Sequence, residues 1–190
     1  MRIITVIQAR TGSKRFPGKV LAPMSDGRTL LEHVVEAAEA IGYPVLLAIP
    51  YDDEQLVAKC REHGWVYARG PELDVLRRFC LAAESADADH IIRVTAASPF
   101  IDSQAAAWTV DHHLATGADF TTYIAEGRGV EVFTRAALDE SDLMAFDDFE
   151  REHPDEWILG HPDEYHIEHV KFSVDTEDDL ERARGRSHSC

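Results

Sequence analysis

Residues 2–19 read Arg2-Ile-Ile-Thr-Val-Ile-Gln-Ala-Arg10-Thr-Gly-Ser-Lys-Arg15-Phe-Pro-Gly-Lys19. The first part is apolar and β-branched over the length of one strand, and the second part is broken by two glycines and a proline. Glycines let a backbone approach a ligand closely, and Arg and Lys side chains bind phosphate oxygens. The stretch therefore predicts a buried strand that leads into a phosphate-binding loop with four cations: Arg10, Lys14, Arg15 and Lys19.

The charge of the chain is distributed unevenly. The 190 residues contain 19 Lys and Arg against 35 Asp and Glu, a net charge of −16. Residues 1–28 hold six of the cations and one acid, net +5, so the remainder holds 13 cations and 34 acids, net −21. A basic island on an acidic protein favours the local capture of a small polyanion and argues against non-specific binding of nucleic acid. The alternative is a basic loop that is merely solvated.

Two common phosphate motifs are absent from this loop. The P-loop spacing G-x-x-x-x-G-K-[ST] fails because five residues separate Gly12 from Gly18, and Lys19 is followed by Val20. The dinucleotide fingerprint G-x-G-x-x-G is missing as well. The sequence therefore indicates a phosphate loop of another kind.

The length and composition are those of one globular domain over residues 1–190, with 45% hydrophobic and 28% charged residues. No apolar run approaches the roughly 20 residues that span a bilayer, so we expect no membrane segment. Three cysteines without metal or redox spacing favour a reducing cytoplasm. The sequence leaves open whether the chain forms a homodimer.

The first 117 residues alternate between strand and helix patterns. After the first strand, strands are predicted at residues 45–49, 65–67 and 91–94, and helices begin near residues 30, 52–53, 74 and 102–103. This alternation predicts an α/β fold with a mainly parallel sheet and helices on both faces. Because ligands bind at the carboxyl ends of parallel strands, the basic loop, Arg69-Gly70 and residues 95–98 should converge.

The second half is less regular. Strands are predicted at residues 120–124 and 130–133, and helices at residues 135–140 and near 147–153. The pentads at 153–157 and 161–165 both begin His-Pro-Asp-Glu and predict a polar loop with two helix starts. A last strand is predicted at residues 171–174, followed by a helix at 177–184 that Asp175 caps.

Several segments, in order, resemble the cytidylyltransferases typified by spore-coat polysaccharide biosynthesis proteins. More distantly, they are similar to acylneuraminate and ketodeoxyoctonate cytidylyltransferases. The most specific match is Ile7-Gln-Ala-Arg10-Thr-Gly-Ser13-x-Arg15-x-Pro17-Gly18-Lys19. The others are Arg69-Gly70-x-x-x-Asp74-Val-Leu, Arg93-Val-Thr95, Pro99-x-Ile-Asp102, Val130-Glu131-Val-Phe133, Arg151-Glu152-His153 and Ser173-Val-Asp175-Thr176.

The resemblance implies a nucleotide-diphospho-sugar transferase fold, a Rossmann-like three-layer sandwich with a mixed, mainly parallel sheet. It implies that CMP passes from CTP to a small acidic acceptor with release of pyrophosphate and with Mg²⁺ as cofactor. It assigns catalysis to Arg10, Arg15 and Lys19, and the acceptor site to Glu131, Arg151 and His153. The implied nucleotide-binding residues are Gln8, Ala9, Arg10, Thr11, Gly12, Ser13, Lys19, Arg69 and Thr95.

One departure from the family affects the metal site. Family members usually read R-V-T-G-D-C-P after the fourth strand, and that Asp is a magnesium ligand. Here the position is Ala97, whose methyl group cannot coordinate a hard cation. Asp175 matches the second ligand of the family. Either Mg²⁺ enters mainly on the nucleotide with Asp175 alone, or Asp102 or another acid substitutes for the first ligand. The alternative is a nucleotide-binding regulatory pseudoenzyme that has lost turnover.

Other polar residues have ordinary interpretations beside functional ones. Asp175 is a good helix cap, and that role is compatible with metal binding. Glu131 alternates with two valines and would be a solvent-facing strand residue without the resemblance. His161, His166 and His169 lie near two acids, but His-x-x-His does not place two ligands on one face of a strand, so no metal site is predicted there.

Overall fold

A computed structural model describes residues 1–123 and 128–170, which form seven strands and seven helices. The strands are β1 (Ile3–Gln8), β2 (Val45–Pro50), β3 (Tyr67–Gly70), β4 (His90–Thr95), β5 (Phe120–Tyr123), β6 (Val130–Thr134) and β7 (Ile167–Val170). The helices are α1 (Leu30–Glu39), α2 (Glu54–His63), α3 (Val75–Ser85), α4 (Ser103–Thr116), α5 (Arg135–Met144), α6 (Asp148–Glu152) and α7 (Glu156–Gly160).

All seven strands belong to one sheet, in the order β3-β2-β1-β4-β6-β5-β7. β1 is parallel to both β2 and β4, β2 is parallel to β3, and β5 is parallel to β7. β6 is antiparallel to β4 and β5. A short connection joins β5 to β6, and such a connection permits an antiparallel pair, whereas parallel strands need a longer crossover. The predicted mixed, mainly parallel sheet is confirmed.

Helices cover both faces of the sheet. Successive residues of a strand point to opposite faces, so each strand contributes side chains to two hydrophobic cores. In β1, Ile7 packs on the side covered by α1, α2 and α4, whereas Ile4 and Val6 pack on the side covered by α3 and α5. β2 divides in the same way, with Leu47 and Leu46 in the two different cores. Continuous apolar runs are typical of strands that are buried on both faces. The predicted three-layer α/β sandwich is confirmed.

Aspartates fix the starts of three helices near the carboxyl edge of the sheet. Asp53 accepts from the backbone N–H of Leu56 at 3.2 Å, and Asp74 accepts from that of Arg77 at 2.9 Å. Asp102 accepts a bond of 3.0 Å at the start of α4. Each bond satisfies one of the backbone donors that a helix start leaves without an intrahelical partner. The predicted helix starts are confirmed here.

Three predicted boundaries differ from the structure. β3 begins at Tyr67 and reaches Gly70, two to three residues later than predicted, because its pairing with β2 runs from Leu47 to Pro50. β7 was not predicted as a strand, since its alternation is weak and it owes its form to pairing with β5. The pentad at 153–157 contains the start of α7, whereas residues 162–165 form a turn and not a helix.

Part of the prediction concerns segments beyond the described ranges. The last strand at residues 171–174, the helix at 177–184 and the metal candidate Asp175 lie outside the described residues. Within residues 1–123 and 128–170, no helix combines the length and apolar character needed to cross a bilayer.

Candidate active site

The basic loop leaves β1 at the carboxyl edge of the sheet and is held in place by Asp53. One oxygen of Asp53 accepts from the backbone N–H of Thr11 at 2.8 Å and from its hydroxyl at 2.9 Å, while the other oxygen caps α2. The N–H of Gly18 donates to the carbonyl of Thr11 at 2.8 Å and closes the loop. Gly18 has φ +71°, a left-handed conformation that glycine adopts without steric cost. The loop therefore has a defined shape.

A cleft lies beside this loop and consists of two adjoining cavities of about 390 and 270 Å³. We call the larger one the outer part and the smaller one the inner part. Residues that line both parts are Gln8, Arg10, Lys19, Thr95, Ala97 and Glu152. Residues that line the outer part alone are Ser13, Lys14, Arg15, Val20, Leu73 and Ala96. Residues that line the inner part alone are Ala9, Val75, Arg78, Arg93 and His153.

The outer part carries positive charge that the described protein does not neutralise. Within residues 1–123 and 128–170, the side chains of Lys14, Arg15 and Lys19 form no ion pair and no hydrogen bond with an acid. Arg10 differs, because its Nη2 contacts Oε1 of Glu152 at 3.0 Å. These cations face the cleft of a protein with a net charge of −16, so the charge of the outer part suits a polyanion.

In the wall of the inner part, Arg93 of β4 contacts β1, β6 and the residue that precedes α7. Its Nε donates to Oε1 of Gln8 at 2.9 Å, and its Nη1 donates to Glu131 and to Oδ1 of Asp155, the latter at 2.8 Å. Burial alone would lower the pKa of Arg93, but the two carboxylates outweigh it and the net shift is upward. Because a guanidinium only donates, the oxygen of Gln8 must face Arg93, which leaves the NH₂ group of Gln8 free to face the cleft.

The three residues predicted to bind the acceptor have different environments. Arg151 donates from Nη2 to Asp74 at 2.7 Å and to Asp142 at 2.6 Å, and from Nη1 to the carbonyl of Asp142 at 2.8 Å. Glu131 contacts Arg93. His153 follows α6, packs against the ring of Phe149 at 4.6 Å and lines the inner part of the cleft. Of the three, His153 is the one that reaches the cleft.

The remaining predicted site residues are divided between the cleft and its surroundings. Gln8, Ala9, Arg10, Ser13, Lys19 and Thr95 line the cleft, whereas Thr11 and Gly12 line a separate cavity on the other side of the loop. Arg69 contacts Glu54 and does not line either part of the cleft. Asp102 caps α4, and Ala97 lies where the cleft's two parts meet.

The described residues contain little that could hold a metal ion. No group of three His, Cys, Asp or Glu side chains within residues 1–123 and 128–170 has suitable geometry. His112 and His166 both contact the carboxylate of Glu168, at 3.0 and 3.1 Å, far from the cleft in the sheet order. In the cleft, the acidic side chain among the described lining residues is Glu152.

Among the charged residues that line the cleft, sequence reasoning gave no role to Arg78, Arg93 and Glu152. Glu152 is one of four consecutive polar residues, 150–153, in which charge alone does not distinguish a ligand-facing side chain. Arg78 carries a usable signal, since it lies three residues after Val75 and four before Ala82, both buried on the apolar face of α3. A cation in that position is buried, and a buried cation requires a polar partner.

Comparisons with known proteins identify the family of the chain. The sequence model of the cytidylyltransferase family matches residues 4–183. The spore coat polysaccharide biosynthesis protein SpsF of Bacillus subtilis is 29% identical over 200 residues, which cover 94% of this chain and 83% of SpsF. A solved cytidylyltransferase from Leptospira borgpetersenii superposes with a TM-score of 0.84 at 26% identity, over 97% of this chain and 85% of that one.

A more distant structure has the same fold. CMP:2-keto-3-deoxy-manno-octonic acid synthetase, solved in complex with CTP, superposes with a TM-score of 0.74 at 17% identity over 98% of each chain. The match of the family model extends from β1 to beyond the described residues and includes the loop and all residues that line the cleft. The chain therefore belongs to the cytidylyltransferase family of nucleotidyltransferases.

Proposed function

We propose that the protein transfers CMP from CTP to a small acidic acceptor and releases pyrophosphate. The acceptor class comprises sugar acids, phosphorylated small molecules and phosphonates. The observation that carries the proposal is the outer part of the cleft, where Lys14, Arg15 and Lys19 face the cavity without acidic partners among the described residues. A triphosphate is the common ligand that would neutralise three or four cations on a glycine-containing loop.

The reaction requires little covalent work from the protein. An oxygen of the acceptor attacks the α-phosphorus of CTP, the bond between that phosphorus and the α,β-bridging oxygen breaks, and pyrophosphate leaves with the bonding electrons. Where the attacking oxygen is a hydroxyl, its proton is released to water. Lys19 and Arg15 would stabilise the charge that accumulates on the leaving pyrophosphate, and Arg10 would hold the transferred phosphoryl group. The closed loop fixes the backbone that carries these cations before the nucleotide binds, which lowers the cost of orienting the nucleotide.

The acceptor would approach the α-phosphate from the side of the inner part. His153 lines that side and could orient an acidic group of the acceptor. Arg151 and Glu131 stay candidates for acceptor binding, but an acceptor that contacts them must compete with Asp74, Asp142 and Arg93. Their present contacts also hold α6 and β6 against the cleft, so either residue can support the site without touching the acceptor.

The donor set of the cleft fits a magnesium ion that arrives on the nucleotide. Glu152 supplies a carboxylate, and the hydroxyl of Thr95 lies 2.9 Å from that of Ser98, so the described donors are hard oxygens. Mg²⁺ usually keeps several waters and binds through one or two carboxylates together with phosphate oxygens. We propose that Glu152 is a magnesium ligand in place of the family's Asp, which is Ala97 in this chain, and that Asp175 is a further ligand. When bound, the ion would neutralise phosphate charge.

Pyrophosphate release tests the proposal directly. The purified protein is incubated with CTP, Mg²⁺ and a panel of sugar acids, phosphates and phosphonates, and we expect release that depends on one acceptor class. Thermal shifts with CTP, UTP, GTP and ATP test the base, because a ligand that binds the native state raises its stability. CTP should raise the unfolding temperature of the protein more than UTP, GTP or ATP does. Greater stabilisation by ATP or GTP would refute the assignment to CTP.

The competing function is a nucleotide-binding regulatory protein without turnover, and Ala97 is the observation that favours it. Both functions predict that CTP stabilises the native state. They differ in the release of pyrophosphate, since the regulatory protein would bind CTP and release none with any member of the panel. Replacement of Ala97 by Asp provides a second comparison, because a restored carboxylate should raise turnover only if the remaining site is competent.

A further inference from the structure

We propose that Arg78 reads the hydrogen-bond acceptor edge of the cytosine ring, atoms O2 and N3, and thereby distinguishes CTP from UTP. The inference rests on the proposed binding of CTP and adds to it a residue that determines base specificity. Arg78 lies on the first turn of α3, is 1% exposed and lines the inner part of the cleft.

The guanidinium of Arg78 has fewer partners than its burial requires. Nη1 donates to the carbonyls of Pro71 and Glu72 at 2.7 and 2.9 Å, whereas Nε is buried without a hydrogen-bond partner. Within the described residues no carboxylate forms an ion pair with it, in contrast to Arg93. Burial, followed by the positive charge of Arg10, lowers the pKa of Arg78 to about 10, so the group remains charged at neutral pH. A buried donor without an acceptor is costly, and a ligand could supply the acceptor.

The packing around Arg78 keeps its side chain in this position. A Cβ added to Gly70 would lie 2.9 Å from Cγ of Arg78 and 3.0 Å from its Cα, so the glycine makes room for the arginine stem. The two carbonyls of residues 71 and 72 then hold one edge of the guanidinium. The side chain is therefore fixed before any ligand binds, as a specificity residue must be.

The two parts of the cleft match the two ends of a nucleotide. The outer part has the cations without partners and suits the triphosphate. The inner part has Ala9 and Val75 in its walls, which are small apolar surfaces suited to the faces of a flat ring. Arg93 also lines the inner part, but its guanidinium already donates hydrogen bonds to Gln8, Glu131 and Asp155. Of the two cations that line the inner part alone, Arg78 is then the one whose donors are available to the edge of the base.

The chemistry of the pyrimidine edge gives the discrimination. A guanidinium donates hydrogen bonds and accepts none. Cytosine presents two adjacent acceptors, O2 and N3, whereas in uracil N3 carries a hydrogen and is itself a donor. Arg78 would therefore pair with cytosine and oppose uracil. Sites that are built to hydrogen-bond a particular group reject analogues that lack it, because their buried polar atoms are left unpaired.

A thermodynamic cycle tests the inference. Affinities for CTP, UTP and 3-deazacytidine triphosphate, in which N3 is replaced by C–H, are measured calorimetrically with the wild-type protein and with Arg78→Lys. We expect the wild type to bind 3-deazacytidine triphosphate at least about tenfold more weakly than CTP, as for one charged hydrogen bond. In Arg78→Lys that difference should largely vanish, and the preference for CTP over UTP should fall.

The control is Arg77→Lys, because Arg77 is the neighbouring cation on α3 and contacts Asp142 outside the cleft. It should keep all the wild-type affinities. If Arg78→Lys lowers the affinities for CTP and for its 3-deaza analogue by the same factor, Arg78 merely supports the fold and the inference is overturned. Should the variant not fold, equal binding of CTP and the analogue by the wild type would overturn it as well. Failure of the wild type to bind CTP at all would instead refute the proposed function.

Discussion

The two walls of the cleft use arginine and lysine in opposite ways. On the loop wall, Lys14, Arg15 and Lys19 face the cavity and contact no acid of the described chain. On the opposite wall, Arg93 is held by Glu131 and Asp155. Arg151, which does not line the cleft, is held in the same way by Asp74 and Asp142. Both groups of cations belong to the same acidic protein, so composition does not explain why these three side chains have no acidic partner among the described residues.

The difference separates cations that bind a ligand from cations that build the site. A charge with two carboxylate partners has little left to offer a phosphate, whereas an unpartnered charge in an open cleft gains much from one. Arg10 lies between these cases, since it has one partner, Glu152, and both side chains remain partly exposed. The contrast leads to predictions on each wall and on the pair that joins them.

The largest expected effect is on the affinity for CTP, when the cations of the loop wall are removed. Replacement of both Arg15 and Lys19 by Ala should weaken CTP binding by about 1000-fold, because each removes a charged hydrogen bond worth roughly 1.5–3 kcal/mol. Calorimetric titration with CTP and with cytidine measures the effect, and the affinity for cytidine should not change. Arg28→Ala is the control, since Arg28 lies in the same basic segment but contacts Asp26 and Glu36. Wild-type affinity of the double variant for CTP would contradict the assignment of the loop.

A smaller effect, on stability, is expected on the opposite wall. Arg93→Met should lower the free energy of unfolding by about 3 kcal/mol, because Glu131 and Asp155 would lose their partner in a poorly solvated place. Chemical denaturation measures this change. Arg135→Met removes a more exposed pair with Asp139 and should cost less than about 1 kcal/mol. Equal costs for the two variants would show that Arg93 is not a structural cation.

The smallest effect is expected for the pair that joins the walls. Glu152→Gln should raise the affinity for tripolyphosphate in the absence of metal by a few-fold, because Arg10 would no longer be held by a carboxylate worth up to about 1 kcal/mol. With Mg²⁺ present the gain should vanish or reverse, since a proposed metal ligand is lost. Glu54→Gln removes an acid of equal charge beside Arg69, outside the cleft, and should change neither value. An unchanged affinity without metal would refute the competition between Glu152 and phosphate for Arg10.

Local sequence patterns predicted most of the fold. The buried runs of β1 and β2 and the caps at Asp53, Asp74 and Asp102 all act over a few residues, and each was interpreted correctly. β3 and β7 were placed poorly because both are short and depend on pairing with a neighbouring strand. Strand propensity predicts such segments poorly, because it depends on the neighbouring strands more than on the segment itself.

The amino-acid sequence by itself determined the parallel sheet, the basic loop and its position at the end of a buried strand, because these follow from periodicity, glycine placement and charge along the chain. Only the tertiary structure decided which cations are available to a ligand. Arg15 and Arg151 were both predicted to bind a ligand, but one faces an open cleft and the other lies between two carboxylates contributed by residues 74 and 142. The availability of a charge depends on its neighbours in space, and those neighbours come from distant parts of the chain.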